Sequence, residues 1–228
     1  MRRPPVRDNG WVRQHNIIWD MGGTLIDTYP SVDRTLVRAL EDHGHRVDPQ
    51  EVAGLTRRAI AVAIAELSAR YAVPREDLDR AYADLKRSWA TRPAPVMAGA
   101  REVMDHVRSI SGRNMVVTNR DRRSATTLLT ATNLAVDDLV CAPDGYPRKP
   151  DPAMYLAVLE RNRLDPADCL AVGDRAIDAV ASRQAGIECM LLETPGNPVE
   201  GKGNRITDLR ELLGHLAGAK DQPIRPST

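Results

Sequence analysis

The 228-residue sequence contains no phenylalanine and only four lysines, at positions 86, 149, 202 and 220. Arginine therefore supplies nearly all of the positive charge, so each lysine is an uncommon choice. The 32 basic and 31 acidic side chains leave a net charge of +1. Because so small a charge creates no field for gathering nucleic acid or an anionic membrane, we expect neither as a partner.

Cysteine is also scarce, and long apolar runs are missing. Cys141, Cys169 and Cys189 are odd in number, far apart and without metal-binding spacing, so they indicate reduced core thiols in a cytoplasmic protein. Residues 1–15 combine four arginines with two prolines and match neither a signal peptide nor a membrane segment. We interpret them as a flexible leader, and residues 220–228 as a flexible tail.

Short apolar runs alternate with helical patterns along much of the chain, which predicts an α/β fold with a parallel sheet and right-handed crossovers. Strands are expected at 16–19, 115–118, 169–172 and 188–192, with a weaker one at 139–142. Helices are expected at 100–110, 121–132, 176–184 and 207–216, and another begins at 151. Residues 194–204 are rich in glycine and proline and predict a surface loop.

The segment between the first two strands has a helical pattern throughout. Asp48-Pro49-Gln50-Glu51 combines a helix N-cap, a first-turn proline and a glutamate at the third position. Closely spaced prolines at 93 and 95 then prevent a helix from continuing. We therefore predict an all-helical cap domain over residues 28–95, inserted into a Rossmann-like core formed by residues 16–27 and 96–219.

Four polar motifs fall at the predicted carboxyl ends of strands or in the loops beyond them, where open α/β sheets bind ligands. The first, Asp20-Met21-Gly22-Gly23-Thr24, joins a carboxylate to flexible glycine backbone. The second is Thr118-Asn119, and the third is Lys149. The fourth is Gly173-Asp174 with Asp178, a spacing that puts both carboxylates on one face if a helix begins at once.

These residue types suit phosphoryl transfer. A carboxylate such as that of Asp20 can attack phosphorus and form an aspartyl phosphate, which divides one difficult hydrolysis into two displacements. Charge that accumulates on the phosphoryl oxygens calls for a dication, a fixed ammonium and hydrogen-bond donors. Asp20 and Asp174 could hold Mg²⁺, while Lys149 and Thr118 could supply the ammonium and the hydroxyl.

The four motifs, in this order, resemble those of the haloacid dehalogenase superfamily, and the helical insertion resembles the cap of its phosphoglycolate phosphatase-like branch. The resemblance spans roughly residues 16–192. It implies a Rossmann-like haloacid dehalogenase-like fold and a Mg²⁺-dependent phosphatase acting on a small phosphorylated metabolite. Asp20 would be the nucleophile, with Thr118 and Lys149 as the other catalytic residues.

The resemblance also implies the residues of the metal and phosphate sites. The metal would be bound by Asp20, the Gly22 carbonyl and Asp174, with Asp178 beside the metal or its waters, or paired with Lys149. The phosphate would be contacted from the strand-end loops by Gly22, Gly23, Thr118, Asn119, Arg120 and Lys149. The composition of the predicted cap indicates neither a particular substrate nor an oligomeric state.

Gly22 is a departure from the superfamily pattern, which has a second aspartate at this position. In the phosphatases of the superfamily that aspartate protonates the leaving oxygen and later deprotonates the attacking water. Glycine can do neither, and general acid–base catalysis is typically worth ~10²- to 10⁴-fold. We therefore expect a phosphatase with weakened acid–base catalysis, suited to acyl or aryl phosphates, or one in which a cap residue or a water takes this role.

Two other interpretations stay open at this point. The chain could be a non-catalytic relative that binds phosphorylated ligands, although such a protein has no need to keep Asp20, Thr118, Lys149 and Asp174 together. It could also cleave a different bond. The phosphonate hydrolases of the superfamily use a cap lysine near the cap entry, whereas Lys86, the only lysine in the predicted cap, comes late in a helical stretch. The aromatic residue of the dehalogenases is missing.

Overall fold

Six parallel strands form one sheet at the centre of the computed structural model, which describes residues 14–199 and 203–216. The strands are β1 (Asn16–Trp19), β2 (Asn114–Thr118), β3 (Asp138–Cys141), β4 (Cys169–Gly173), β5 (Glu188–Leu192) and β6 (Asn204–Ile206). Their order across the sheet is β3-β2-β1-β4-β5-β6, and every pair is parallel. The predicted α/β fold is confirmed, with the strand that leads to Asp20 at the centre.

Helices cover both faces of this sheet. Within the described residues the α-helices are α1 (Tyr29–Glu41), α2 (Pro49–Arg58), α3 (Ile60–Tyr71), α4 (Arg75–Ser88), α5 (Ala100–Ser109), α6 (Arg122–Ala131), α7 (Ala153–Asn162) and α8 (Ala176–Gln184). Ile17 and Trp19 of β1 join a hydrophobic cluster shared with α1 to α6, and Ile18 joins a second cluster shared with α7 and α8. Burial on both faces explains why residues 17–19 of β1 are all apolar instead of alternating with polar residues.

Helices α1 to α4 occupy the segment between β1 and β2 and pack chiefly against one another. Helix α2 begins at the predicted signal, where the side chain of Asp48 accepts a hydrogen bond from the Gln50 N–H at 2.9 Å. The helical stretch predicted to follow Pro49 is divided at Ala59, whose extended backbone separates α2 from α3. The inserted segment is thus helical, as its sequence pattern predicts.

The predicted surface loop over residues 194–204 is wrong in part. Asn197 and Val199 are buried, and Asn204 begins strand β6 at the edge of the sheet. This strand has only three residues, and Ile206 is its one apolar side chain. A strand this short has too few residues to show an alternating pattern, which is why the sequence did not indicate it.

The helix predicted at 207–216 is also corrected by the structure. It is a 3₁₀-helix limited to Leu209–Gly214. Side chains three residues apart eclipse one another in this conformation, so Leu209 and Leu212 are buried on the same side. A spacing of three residues fits either kind of helix, so the sequence does not distinguish them. The predicted helix is also longer than the observed one.

The described part of the chain excludes residues 1–13, 200–202 and 217–228, so the predicted tail and most of the predicted leader lie outside it. The end of the leader is described: Gln14 is buried and forms an isolated parallel bridge with Leu216. Gln14, near the end of the predicted leader, is therefore packed in the fold. Among the described helices, none combines the length and the apolar character needed to cross a bilayer.

Candidate active site

The predicted site residues meet at the carboxyl edge of the sheet. Asp20 follows β1, Thr118 ends β2 and Asp174 follows β4, and all three side chains are buried. These strands are adjacent because β1 lies between β2 and β4. Lys149 reaches the same place from the loop that precedes α7. The sheet thus brings together residues that are up to 154 positions apart in the sequence.

The ammonium group of Lys149 is buried between two carboxylates. Its Nζ contacts Oδ1 of Asp20, lies 2.5 Å from Oδ1 of Asp178 and donates to the Val117 carbonyl at 3.1 Å. Burial by itself disfavours a charged lysine, but the carboxylates of Asp178 and Asp20 outweigh this effect and raise the pKa of Lys149. The lysine is therefore a fixed positive charge beside the Asp20 carboxylate at neutral pH.

Asp20, Asp174 and Asp178 form a buried acidic cluster, in which one oxygen from each carboxylate lies within 4.8 Å of the others. Burial, and then repulsion by Asp20 and Asp178, raise the pKa of Asp174 to about 7. Burial also raises the pKa of Asp178, although Lys149 opposes the shift. Oxygen donors with excess negative charge suit a hard dication, so this cluster could hold a divalent metal.

Asp174 is held by three donors, of which Tyr29 and Asn197 lie outside the predicted motifs. Tyr29 donates its hydroxyl to Oδ2 of Asp174 at 2.7 Å, and Asn197 donates its side-chain amide to the same oxygen at 3.0 Å. Thr24 donates to Oδ1 at 3.4 Å. Tyr29 begins α1, outside the strand-end pattern, and Asn197 lies after β5 in the segment that the sequence predicted to be a surface loop. Only the place of Tyr29, directly after the predicted cap entry, offered a signal.

Two glycines, Gly23 and Gly173, have no side chain and so make room for the acidic cluster. Gly23 has a φ of +89°, and a Cβ atom there would lie 2.3 Å from the Tyr29 ring and 2.5 Å from Oδ2 of Asp174. A Cβ atom on Gly173 would lie 2.3 Å from the Cβ of Asp178. Glycine is therefore a steric requirement at both positions, and at Gly23 also a conformational one.

Asn119 positions Lys149 through its side chain. Its Oδ1 accepts a hydrogen bond from the backbone N–H of Lys149 at 2.9 Å. Its side-chain amide donates to the backbone carbonyl of Lys149 at 3.4 Å. The neighbouring Thr118 hydroxyl accepts the backbone N–H of Arg120 at 3.2 Å. The second and third motifs are thus joined by hydrogen bonds, a link that their separation in the sequence did not indicate.

Arg120 lies over the backbone of Gly22. A Cβ atom on Gly22 would be 3.3 Å from Nη2 of Arg120 and 3.0 Å from Oγ1 of Thr28. The guanidinium is 4.8 Å from the centre of the Trp89 ring, and it donates to Ser124 at 3.2 Å and to Thr28 at 3.5 Å. Gly22 itself is outside the left-handed region, so its backbone conformation does not require glycine.

A cleft of about 310 Å³ opens between this edge of the sheet and the inserted helices. The core lines it with Asp20, Gly22, Thr118, Asn119 and Arg120, and the insertion lines it with Thr56, Ile60, Ile64, Tyr82 and Lys86. Lys86 thus reaches the cleft although it comes late in a helical stretch. Its ammonium donates to Asp121 at 3.1 Å, which links α4 to the N-terminus of α6.

Comparisons with known proteins agree with this geometry. The model of the haloacid dehalogenase-like hydrolase family matches residues 15–186. A phosphoglycolate phosphatase of Cupriavidus necator is 30% identical over 211 residues, covering 88% of this chain and 91% of the relative. A phosphoglycolate phosphatase of Pseudomonas putida is 29% identical over 217 residues, covering 86% and 78%.

A solved structure resembles the fold. CbbY from Rhodobacter sphaeroides, in complex with phosphate, matches with a TM-score of 0.69 at 18% identity, covering 87% of this chain and 96% of that one. The motifs, the sheet order and the family match all point to the same group of enzymes. The chain therefore belongs to the haloacid dehalogenase-like hydrolase family, in its phosphoglycolate phosphatase-like branch, and is a phosphatase.

Proposed function

We propose that this protein is a Mg²⁺-dependent phosphatase that hydrolyses a small phosphorylated metabolite through an aspartyl phosphate on Asp20. The observation that carries the proposal is the contact between Asp20 and the buried Lys149 ammonium at the wall of the cleft. A carboxylate that is ionised and held in place can act as a nucleophile, and the adjacent cation stabilises the charge of the phosphoryl group that it attacks.

The reaction has two displacements. First, the Asp20 carboxylate attacks phosphorus, and the leaving oxygen departs with the electrons of the broken P–O bond. Then a water molecule attacks the phosphorus of the aspartyl phosphate, which releases phosphate and restores the carboxylate. In both steps Lys149 stabilises charge on the phosphoryl oxygens, and Thr118 offers its hydroxyl to them. Gly22, Gly23, Asn119 and Arg120 complete the proposed phosphate site.

The proposed metal is Mg²⁺, held by Asp20, Asp174 and the Gly22 carbonyl, with Asp178 beside them. The donors fit this ion because they are all oxygens. The three carboxylates also carry more negative charge than the one buried lysine beside them can compensate. When bound, Mg²⁺ supplies positive charge that draws electron density from the phosphoryl oxygens. Tyr29 and Asn197 keep Asp174 oriented toward the cluster.

The proposal includes a cap domain over residues 28–95 that covers the cleft. Its support is the packing of α1 to α4 against one another and the inserted side chains that line the cleft. A volume of about 310 Å³ suits a small molecule such as phosphoglycolate, the compound named for the relatives. Three buried, unbridged cysteines support a cytoplasmic enzyme.

Replacement of the nucleophile tests the proposal. We expect Asp20→Asn to abolish turnover of phosphate esters in the presence of Mg²⁺, because an amide cannot form the acyl phosphate. Asp27→Asn is the matched control, since Asp27 lies seven residues further on and does not line the cleft. Unchanged turnover by a folded Asp20→Asn variant would contradict the proposal.

Gly22 is proposed to weaken acid–base catalysis, and a second experiment addresses this point. Gly22→Asp should raise turnover of alkyl phosphates by ~10²-fold if a carboxylate there can protonate the leaving oxygen. The Thr28 hydroxyl must shift by a few tenths of an ångström to admit the Cβ atom. Gly22→Asn has nearly the same shape but no acid, so it should bring no gain. Equal rates for the two variants would show that the acid is not the missing group.

A further inference from the structure

The two sides of Asp20 differ in access. Lys149 and Asp178, whose side chains are fully buried, close one side. Gly22, Thr28 and Arg120 line the cleft on the other side. In an in-line displacement the attacking and leaving oxygens lie on opposite sides of phosphorus. A leaving group therefore extends from Asp20 into the cleft, whose lining includes Arg120.

Arg120 is held in a fixed position on this wall. Its guanidinium stacks against Trp89, donates to Ser124 and lies 3.3 Å from the point where a side chain on Gly22 would begin. Its Nε is buried without a hydrogen-bond partner among the described residues. Gly22 has no side chain to cover Nη2, and both residues line the cleft.

An arginine in this place supports a different kind of catalysis from a carboxylic acid. Guanidinium stays protonated at all physiological pH values, so Arg120 cannot donate a proton to the leaving oxygen. It can instead donate two parallel charge-assisted hydrogen bonds to an anion that has two oxygens. Such donors stabilise a leaving group that departs with its negative charge.

We propose that Arg120 binds the departing oxyanion and so selects substrates whose leaving group is a carboxylate or a phosphate. This inference rests on the proposed function. These are acyl phosphates and phosphoanhydrides. As the Asp20 oxygen bonds to phosphorus, the bond to the leaving oxygen breaks and its electron pair stays on that oxygen, opposite Arg120. No proton is needed at this step. The water that later opens the aspartyl phosphate gives its proton to the released phosphate.

The test compares the parent with Arg120→Met over acetyl phosphate, inorganic pyrophosphate and a series of aryl and alkyl phosphates of increasing leaving-group pKa, all with Mg²⁺. The quantity measured is kcat/KM, which covers the steps up to departure of the leaving group. Arg123→Met is the control, because it removes an equal charge from an exposed position three residues away. Arg120→Lys keeps the charge but cannot donate two parallel hydrogen bonds. Unfolding curves confirm that each variant is folded.

We expect Arg120→Met to lose ~10²-fold in kcat/KM on acetyl phosphate and pyrophosphate, as when one oxyanion donor is removed. The loss should be clearly smaller on aryl and alkyl phosphates, whose single leaving oxygen cannot accept two parallel hydrogen bonds. Arg120→Lys should recover only part of the rate on acetyl phosphate and pyrophosphate. An equal loss for every leaving group would overturn this inference, because Arg120 would then bind only the transferred phosphoryl group. No loss would overturn it as well. A parent with no turnover of any compound would instead overturn the proposed function and this inference with it.

Discussion

Replacing Lys149 by methionine should destabilise the fold strongly and in a pH-dependent way. The substitution keeps an unbranched side chain of similar length but removes the charge that contacts Asp20 and Asp178. Breaking a buried ion pair by deleting one partner costs about 3 to 5 kcal/mol, because the remaining charges lose their compensation. We expect a loss of this size in the free energy of unfolding of Lys149→Met at pH 8.

The dependence on pH follows from the pKa shifts. The pKa of Lys149 is raised in the folded protein, so its stabilising effect is complete below the unfolded value of 10.5 and does not change between pH 6 and pH 8. The pKa of Asp174 is raised from 3.8 to about 7, so this group destabilises the fold as pH rises between these values. Without Lys149 the carboxylates repel more strongly, and the variant should therefore lose more stability at pH 8 than at pH 6.

Urea unfolding of the parent and of Lys149→Met, at both pH values and with or without Mg²⁺, measures these effects. Lys86→Met is the matched control, because the ion pair of Lys86 with Asp121 is partly exposed and such pairs contribute about 0 to 1 kcal/mol. Mg²⁺ should restore more stability to Lys149→Met than to the parent, since it brings positive charge to the same carboxylates. A variant as stable as the parent at pH 8 without Mg²⁺ would refute the reasoning.

Three further predictions concern Asp174 and its neighbours. Calorimetric titration with Mg²⁺ should give an affinity roughly 10-fold lower at pH 6 than at pH 8, because a proton with a pKa of about 7 must leave Asp174 first; a flat profile would contradict this. Gly23→Ala should lower the melting temperature far more than Gly44→Ala, which has a similar positive φ but nothing within 4 Å of its Cβ atom. Tyr29→Phe should cost about 1.5 to 3 kcal/mol of unfolding free energy by removing a hydrogen bond to Asp174, whereas Tyr155→Phe removes a hydroxyl with no partner among the described residues and should cost little. Equal effects within either pair of variants would count against the assigned contacts.

The central part of the fold could be predicted because its signals are local and repeated. Each apolar run that ends at a polar residue marks both a strand and a position on the carboxyl edge, so the sequence alone predicts that Asp20, Thr118 and Asp174 meet. The helical insertion could also be predicted, because an N-cap and a first-turn proline mark the start of α2 and the prolines at 93 and 95 mark the end of the insertion.

The contacts that hold the site could not be predicted, because they depend on where side chains point. Nothing local indicates that Tyr29 and Asn197 donate to one carboxylate oxygen, since one begins helix α1 and the other lies in the loop after β5. The position of Arg120 over Gly22 likewise results from its stacking against Trp89, at the far end of the inserted segment. Sequence patterns identify strand ends, whereas such contacts require the packed fold.

The covalent step on Asp20 is the central claim, and mass spectrometry of the quenched reaction tests it most directly. The parent is mixed with acetyl phosphate and Mg²⁺, quenched in acid during turnover and digested. A peptide containing Asp20 should gain the mass of one phosphoryl group, and this form should accumulate because Gly22 gives the attacking water no base. Asp20→Asn should give no such peptide. Turnover by the parent without any phosphorylated peptide, or with the phosphoryl group on another residue, would contradict the account.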